Sequence, residues 1–296
     1  MRGRVVPASA SISDILPHMR ALLSLVGTLT LPFVSACTGA FYFPDSNVYF
    51  PPEQGGYKAE DVFFQASDGT RLHGWFFPAL QEAGNGTIVQ FHGNAQNLTS
   101  HYASLVWATK RGYDLFIFDY RGYGKSLGSP NPEGTHRDGL AALNWAWARH
   151  SARKNRRFIV YGQSLGGVIG ARAFADFPHR NETKLLVLDS TFYSYKDIAQ
   201  EKLSGAWLTW PFSPLGQVLV SDSYASEKVL PAMQQRTLVI HDRLDPVVSY
   251  QNGEHVFQLL PGPKDFWTFE RGLHVGAFAS DTLEIRDRFL NYVEKL

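Results

Sequence analysis

Short apolar runs recur along the chain, each followed by a loop rich in glycine or polar residues. Residues 61–66 and 72–77 flank Ser67-Asp68-Gly69-Thr70, and an Asp-Gly pair between two such runs predicts a β-hairpin. Residues 87–91, 114–119, 158–161, 185–189, 237–241 and 265–269 are short and apolar, the pattern of strands buried on both faces. Helical patterns fall between them, over 97–110 with a stop at Gly112, 132–149, a stretch from Val168, 249–260 and 283–295. Strand and helix alternating in this way predict one α/β domain over 59–296, with a mostly parallel twisted sheet and helices on both faces. Residues 190–230 break the rhythm, with many aromatics, two prolines and no strand pattern, and predict a small cap insertion. Residues 38–58 carry aromatics, Pro and Gly without a period and predict a tether leading onto the domain.

The N-terminus has a different character. Residues 21–36 are apolar and uncharged, with Arg20 just before them and Pro32 within them. That run is too short and too proline-broken for a comfortable membrane span and suits the apolar stretch of a signal peptide. It ends in Val34-Ser35-Ala36-Cys37, which resembles a bacterial lipobox. The expectation is a signal peptide over 1–37, a lipidated Cys37 as mature N-terminus, and a protein held by that anchor in a bacterial cell envelope. Met19-Arg20 opens a conventional signal peptide better than residues 1–18, which hold Asp14 and two prolines, so Met19 is the expected start. An uncleaved N-terminal anchor and a chance apolar segment are the alternatives.

Composition narrows the chemistry. A net charge of +1 over 296 residues gives no reason to expect a nucleic-acid partner. Cys37 is the only cysteine, which excludes an internal disulfide and a cysteine-based zinc site, and no His-Glu-x-x-His occurs. No metal and no organic cofactor is expected. Gly124-Lys125-Ser126 echoes the end of a phosphate-binding loop, but Asp119 stands where the first glycine belongs.

The chemistry centres on Gly162-Gln163-Ser164-Leu165-Gly166-Gly167, between a strand and a helix. A serine at such a corner suits a nucleophile elbow, in which glycines remove β-carbons that would strike neighbouring backbone. An ordinary strand-to-helix turn is the other reading. A serine hydroxyl needs a base to activate it and a third group to orient the base. His274 follows the strand 265–269 and Asp245 follows 237–241, both on the rim where ligands of such a sheet gather. Asp242 and Asp189 compete for the role of the acid; the position of Asp245 and the following Pro246-Val247 favour Asp245.

Phe91-His92-Gly93-Asn94-Ala95, Asp119-Tyr120-Arg121-Gly122-Tyr123-Gly124, the serine motif, His241-Asp242-Arg243-Leu244-Asp245-Pro246-Val247 and Gly272-Leu273-His274 together resemble α/β-hydrolases of the Bem46-like group. That group is similar to serine aminopeptidase and monoglyceride lipase hydrolases, and the resemblance spans about residues 60–296. It implies Ser164 as nucleophile, His274 as base and then acid, and Asp245 as orienting carboxylate. It also implies an oxyanion hole from the backbone N–H groups of Leu165 and Asn94. His241 departs from the group, where glycine is usual, and is expected to crowd the acid loop without displacing Asp245. Arg121 and Tyr123 are expected to brace the loop beside the oxyanion strand, and His92 to shape it by bonding backbone. His73, His101, His136, His150, His179 and His255 are expected on the surface or in loops.

The expected function is hydrolysis of a small acyl ester or thioester through an acyl-enzyme. A peptidase or amidase acting on small substrates is the alternative, and a non-catalytic envelope lipoprotein that binds lipid or a partner is a third reading. The aromatics of 190–230 either line an acyl pocket or pack the cap onto the domain.

Overall fold

The computed structural model describes residues 39–80, 84–205, 208–278 and 283–296. Cys37 and the apolar run before it lie outside these residues, as does Trp207. Eight strands form one sheet in the order β1-β2-β4-β3-β5-β6-β7-β8. β1 (Glu60–Gln65) and β2 (Arg71–Phe77) are the expected hairpin. β2 also runs antiparallel to β4 (Tyr113–Asp119). From β4 onward the neighbours β3 (Gly86–Phe91), β5 (Phe158–Gln163), β6 (Leu185–Asp189), β7 (Thr237–Asp242) and β8 (Lys264–Phe269) are parallel.

Because side chains alternate across a strand, the central strands feed two apolar layers. On one face Val89, Phe91, Phe116, Phe118, Val160 and Leu188 pack with Leu143, Val168 and Ile169 of the crossing helices. On the other, Ile88, Leu115, Ile117, Ile159, Val187 and Ile240 pack with Leu105, Phe289 and Leu290. Only a strand covered on both sides reads as continuously apolar, which explains the runs in the sequence.

The helices are α1 (Leu98–His101), α2 (Pro132–Ala152), α3 (Leu165–Ala175), α4 (Tyr195–Ser204), α5 (Pro214–Leu219), α6 (Tyr250–Leu259) and α7 (Leu283–Glu294). Asn97 caps α1, its side chain accepting from the Thr99 N–H at 2.9 Å. The helix expected over 97–110 is one α turn followed by 3₁₀ turns at Tyr102–Ser104 and Val106–Arg111. Polar side chains supply the reason: Ser104 bonds the His101 carbonyl, Trp107 Nε1 the Ser104 carbonyl and Thr109 the Val106 carbonyl. Each takes up a carbonyl that a continuous helix would use. Gly112 ends the stretch with φ of 80°, as expected.

Residues 39–58 do not hang free but lie along the domain. Tyr42 is buried, and its hydroxyl meets those of Thr135 and Tyr195 at 3.2 Å. The Asp45 carbonyl accepts from Gly124 N–H and Asn97 Nδ2, and the Asn47 carbonyl from Asn97 Nδ2. The cap holds α4 and α5. Phe192 and Tyr195 are buried in the core and Tyr193 stacks on His255, so these aromatics pack the cap onto the domain. Trp210 and Phe212 are exposed. No helix among the described residues is long and apolar enough to cross a membrane.

Candidate active site

Ser164 stands between β5 and α3 with φ of 52° and ψ of −121°, a conformation that costs a non-glycine residue free energy and so must be held by its surroundings. Its N–H donates to the Asp189 carbonyl at 2.9 Å. Its carbonyl accepts from Thr191 Oγ1 at 2.6 Å and from the Gly167 N–H at 2.9 Å. A β-carbon at Gly166 would come within 2.2 Å of the Phe91 carbonyl oxygen and 2.4 Å of that of His92. The glycine thus lets the elbow and the loop after β3 approach each other, which brings Asn94 and Leu165 to one rim.

Asp245 and His274 are brought together. Asp245 Oδ2 meets His274 Nδ1 at 2.8 Å, and Oδ1 accepts from the N–H groups of Val247 (2.8 Å) and Val248 (2.9 Å). The carboxylate is wholly buried. Burial alone would raise its pKa, but His274 and the two backbone donors outweigh it and hold the carboxyl below its ordinary range. The His274 loop joins the elbow through Ser190: Val275 N–H donates to Ser190 Oγ at 3.2 Å, one residue after the carbonyl that takes the Ser164 N–H. Among the described residues no hydrogen bond links Ser164 Oγ to His274, a contact that in ligand-free sites is often long and closes only with substrate bound.

The competing carboxylates have other partners. Asp242 accepts from the N–H groups of Leu244, Arg271 and Gly272, tying the acid loop to the histidine loop. Asp189 bonds the hydroxyls of Tyr161 (2.7 Å) and Ser190 (3.1 Å), and burial raises its pKa above the ordinary value. His241 is accommodated rather than displacing anything. Its Nε2 faces the Val248 carbonyl at 3.0 Å and Asp245 Oδ2 at 3.7 Å.

The backbone hydrogen bonds of the described residues include none donated by Leu165 or Asn94 N–H. Around them, Tyr120 donates to the His92 carbonyl at 3.0 Å, and His92 Nδ1 meets the Gly93 carbonyl at 2.8 Å, the backbone-shaping contact expected of it. Tyr123 donates to Asn94 Oδ1 at 3.0 Å. Arg121 forms a buried fork on Asp138 and reaches Asp68.

Two histidine expectations need correction: His73 on β2 and His150 on α2 are buried. His101, partly exposed at the end of α1, stacks on His92 with Nε2 at 3.2 Å from the Ala95 carbonyl. Burial, with His92 beside it, pushes the His101 pKa down to about 4, so the ring is neutral near pH 7. Exposed apolar residues adjoin the candidate site: Leu244 and Val247 near Asp245, Leu273 next to His274, and Phe43 bonded to Asn94. No cluster that could hold a metal occurs among the described residues.

A mostly parallel sheet with a strained serine at its strand-to-helix corner and an Asp–His pair on the same rim defines an α/β hydrolase. The chain belongs to the α/β-hydrolase family: the profile described as alpha/beta hydrolase fold matches residues 86–209, and relatives covered over more than four-fifths of their length are more than 30% identical. It is 34% identical over 269 residues to the uncharacterized protein YfhR of Salmonella typhi, covering 86% of this chain and 87% of that one. It is also 34% identical over 113 residues to the protein bem46 of Schizosaccharomyces pombe, covering 38% and 37%. Among solved structures, the Pyrococcus furiosus esterase Pf2001 superposes with a TM-score of 0.67 at 21% identity, covering 86% of this chain and 98% of that one.

Proposed function

We propose that the protein is a serine hydrolase that cleaves carboxylic esters or thioesters through an acyl-enzyme. The observation that carries this reading is the buried Asp245 carboxylate 2.8 Å from a partly exposed His274, on the same rim as the elbow of Ser164. Asp245 accepts a hydrogen bond from the Nδ1–H of His274, which fixes the tautomer and leaves Nε2 free as base. Nε2 accepts the Ser164 proton as Oγ bonds to the substrate carbonyl carbon. The Leu165 and Asn94 N–H groups hold the resulting oxyanion, and loss of one such donor costs about a hundredfold or more in turnover. The tetrahedral species collapses as Nε2 protonates the departing oxygen or sulfur, and water, activated by the same nitrogen, releases the acid. The exposed Leu244, Val247, Leu273 and Phe43 favour an apolar acyl group.

The test is labelling of the full-length chain by a fluorophosphonate probe, with turnover of p-nitrophenyl esters of increasing acyl length set against aminoacyl anilides. Labelling lost in Ser164→Ala and faster ester than anilide turnover are expected. Equal labelling of Ser164→Ala and wild type would refute the serine mechanism; anilides cleaved faster would make it a peptidase or amidase. We propose further that Cys37 carries a lipid anchor, as the apolar run 21–36 and Val34-Ser35-Ala36-Cys37 suggest. Metabolic incorporation of an alkyne fatty acid, absent in Cys37→Ser, is the expected result; an unmodified Cys37 by mass spectrometry would end the claim.

A further inference from the structure

The loop that carries the Asn94 N–H is backbone under strain. Ala95 and Gln96 both have positive φ, 59° and 56°, a conformation that costs residues with a β-carbon on the order of 1–3 kcal/mol each. Such a loop keeps its shape only if other contacts fix it. Most of them converge on one atom. Asn94 Oδ1 accepts from the Ala95 N–H at 2.8 Å, the Tyr123 hydroxyl at 3.0 Å and the Phe43 N–H at 3.0 Å. The Phe43 N–H also lies 3.1 Å from the Tyr123 oxygen. The protons close consistently: Phe43 N–H donates to the phenol oxygen and to Oδ1, and the phenol O–H donates to Oδ1.

We propose that the backbone N–H of Phe43 and the phenol of Tyr123 are positioning groups of the oxyanion hole, aiming the Asn94 N–H by holding the Asn94 side-chain oxygen. The inference rests on the serine-hydrolase reading and extends the working site to a segment that precedes the family-matched residues 86–209. Phe43 is 61% exposed, and it is its backbone N–H that makes the contact. Tyr123 is wholly buried, and burial pushes its phenol pKa up, so it remains a donor at any working pH. The segment is clamped on both sides of Phe43. Before it, Tyr42 is tied to Thr135 and Tyr195; after it, the Asp45 carbonyl is tied to Gly124 and Asn97. A donor fixed at both ends can locate a loop that would otherwise relax, and an oxyanion donor acts only from the right distance.

The experiment compares Tyr123→Phe, Phe43→Pro, Phe43→Ala and Ser164→Ala in the full-length chain, with Val48→Ala as a surface control in the same segment. kcat and KM on a short p-nitrophenyl ester are read separately, with the Ki of a trifluoromethyl ketone, whose hemiketal oxyanion needs the same donors. Tyr123→Phe and Phe43→Pro, which removes the N–H, should each lower kcat about tenfold or more at near-constant KM and weaken the ketone in proportion. Phe43→Ala keeps the N–H and should lose far less than Phe43→Pro. If Tyr123→Phe keeps kcat within about twofold of wild type while Ser164→Ala is inactive, the positioning role is wrong. A loss confined to KM, or kcat and ketone affinity that do not fall together, also overturns it. Full activity in Ser164→Ala would instead sink the reading beneath it. Should Phe43→Pro fail to fold, Tyr123→Phe alone decides.

Discussion

The imidazole of His241 rests directly on the backbone of Gly253, where a β-carbon would approach Nδ1 to 2.5 Å. The ring, fully buried, is thus wedged between α6 and the acid loop, with Nε2 on the Val248 carbonyl and near Asp245. An expected crowding is relieved from the helix side, not from the loop. Replacing Gly253 by alanine gains up to about 1 kcal/mol of helix propensity, but overpacking a filled interior costs about 1–3 kcal/mol. Gly253→Ala should therefore destabilise the wild type and lower turnover. In His241→Ala the added methyl has room, and the same change should be neutral or stabilising. Urea unfolding of the four proteins gives the coupling; additivity within about 0.5 kcal/mol would show that the two residues do not share the space.

The three carboxylates near the rim separate by their partners. Asp245→Asn leaves the loop geometry largely intact but removes the acceptor that selects the His274 tautomer. A fall in kcat of about 10⁴ is expected from the serine triad. Asp242→Asn weakens the backbone bonds that hold residues 271–272 and should cost less, by moving His274 rather than by changing its proton. Asp189, bound to two hydroxyls and raised in pKa by burial, should tolerate asparagine with less than about a tenfold loss. Ester turnover decides the order, and a larger effect at Asp189 than at Asp245 would reassign the acid.

The elbow has its own brace. Thr191 Oγ1 donates to the Ser164 carbonyl at 2.6 Å, and both residues are buried. Thr191→Val leaves that strained carbonyl with only the Gly167 N–H and should cost about 1–3 kcal/mol. Thr191→Ser restores the hydroxyl and should recover most of it. Equal stability of the valine and serine variants, by thermal unfolding, would mean that the bond contributes little.

Much of this architecture was legible before any coordinates. The central strands announce themselves because both faces are covered, and Gly162 and Gly166 mark the corner because a β-carbon would lie 2.6 Å from Gly167 Cα at the first and 2.2 Å from the Phe91 carbonyl oxygen at the second. What the sequence hid depends on long-range contact. Nothing local to Phe43 indicates that its N–H reaches a loop 51 positions later. The compensation of His241 by Gly253 likewise needs β7 and α6 side by side. The segment 97–110 misled for a local reason: apolar periodicity was helical, while serine, threonine and tryptophan side chains diverted the carbonyls.

The lowered pKa of His101, beside His92 and partly shielded from water, makes it a source of acid sensitivity. In the unfolded chain a histidine binds its proton near pH 6.5, whereas the folded protein holds His101 neutral until about pH 4. Between those values the unfolded state carries more protons, so stability rises with pH and is lost as pH falls through the window. Above about pH 6.5 the ring is neutral in both states and contributes no slope. The loss across the window should be on the order of 2–3 kcal/mol, since each tenfold difference in proton affinity is worth about 1.4 kcal/mol. His101→Gln keeps an N–H donor for the Ala95 carbonyl but does not titrate, so its stability should be flatter between pH 6.5 and 4. Denaturant unfolding at several pH values in that range measures both slopes. Parallel slopes for wild type and His101→Gln would place the acid sensitivity elsewhere, with the Asp245 carboxylate, held below its ordinary pKa and protonated only at lower pH, the next group to test.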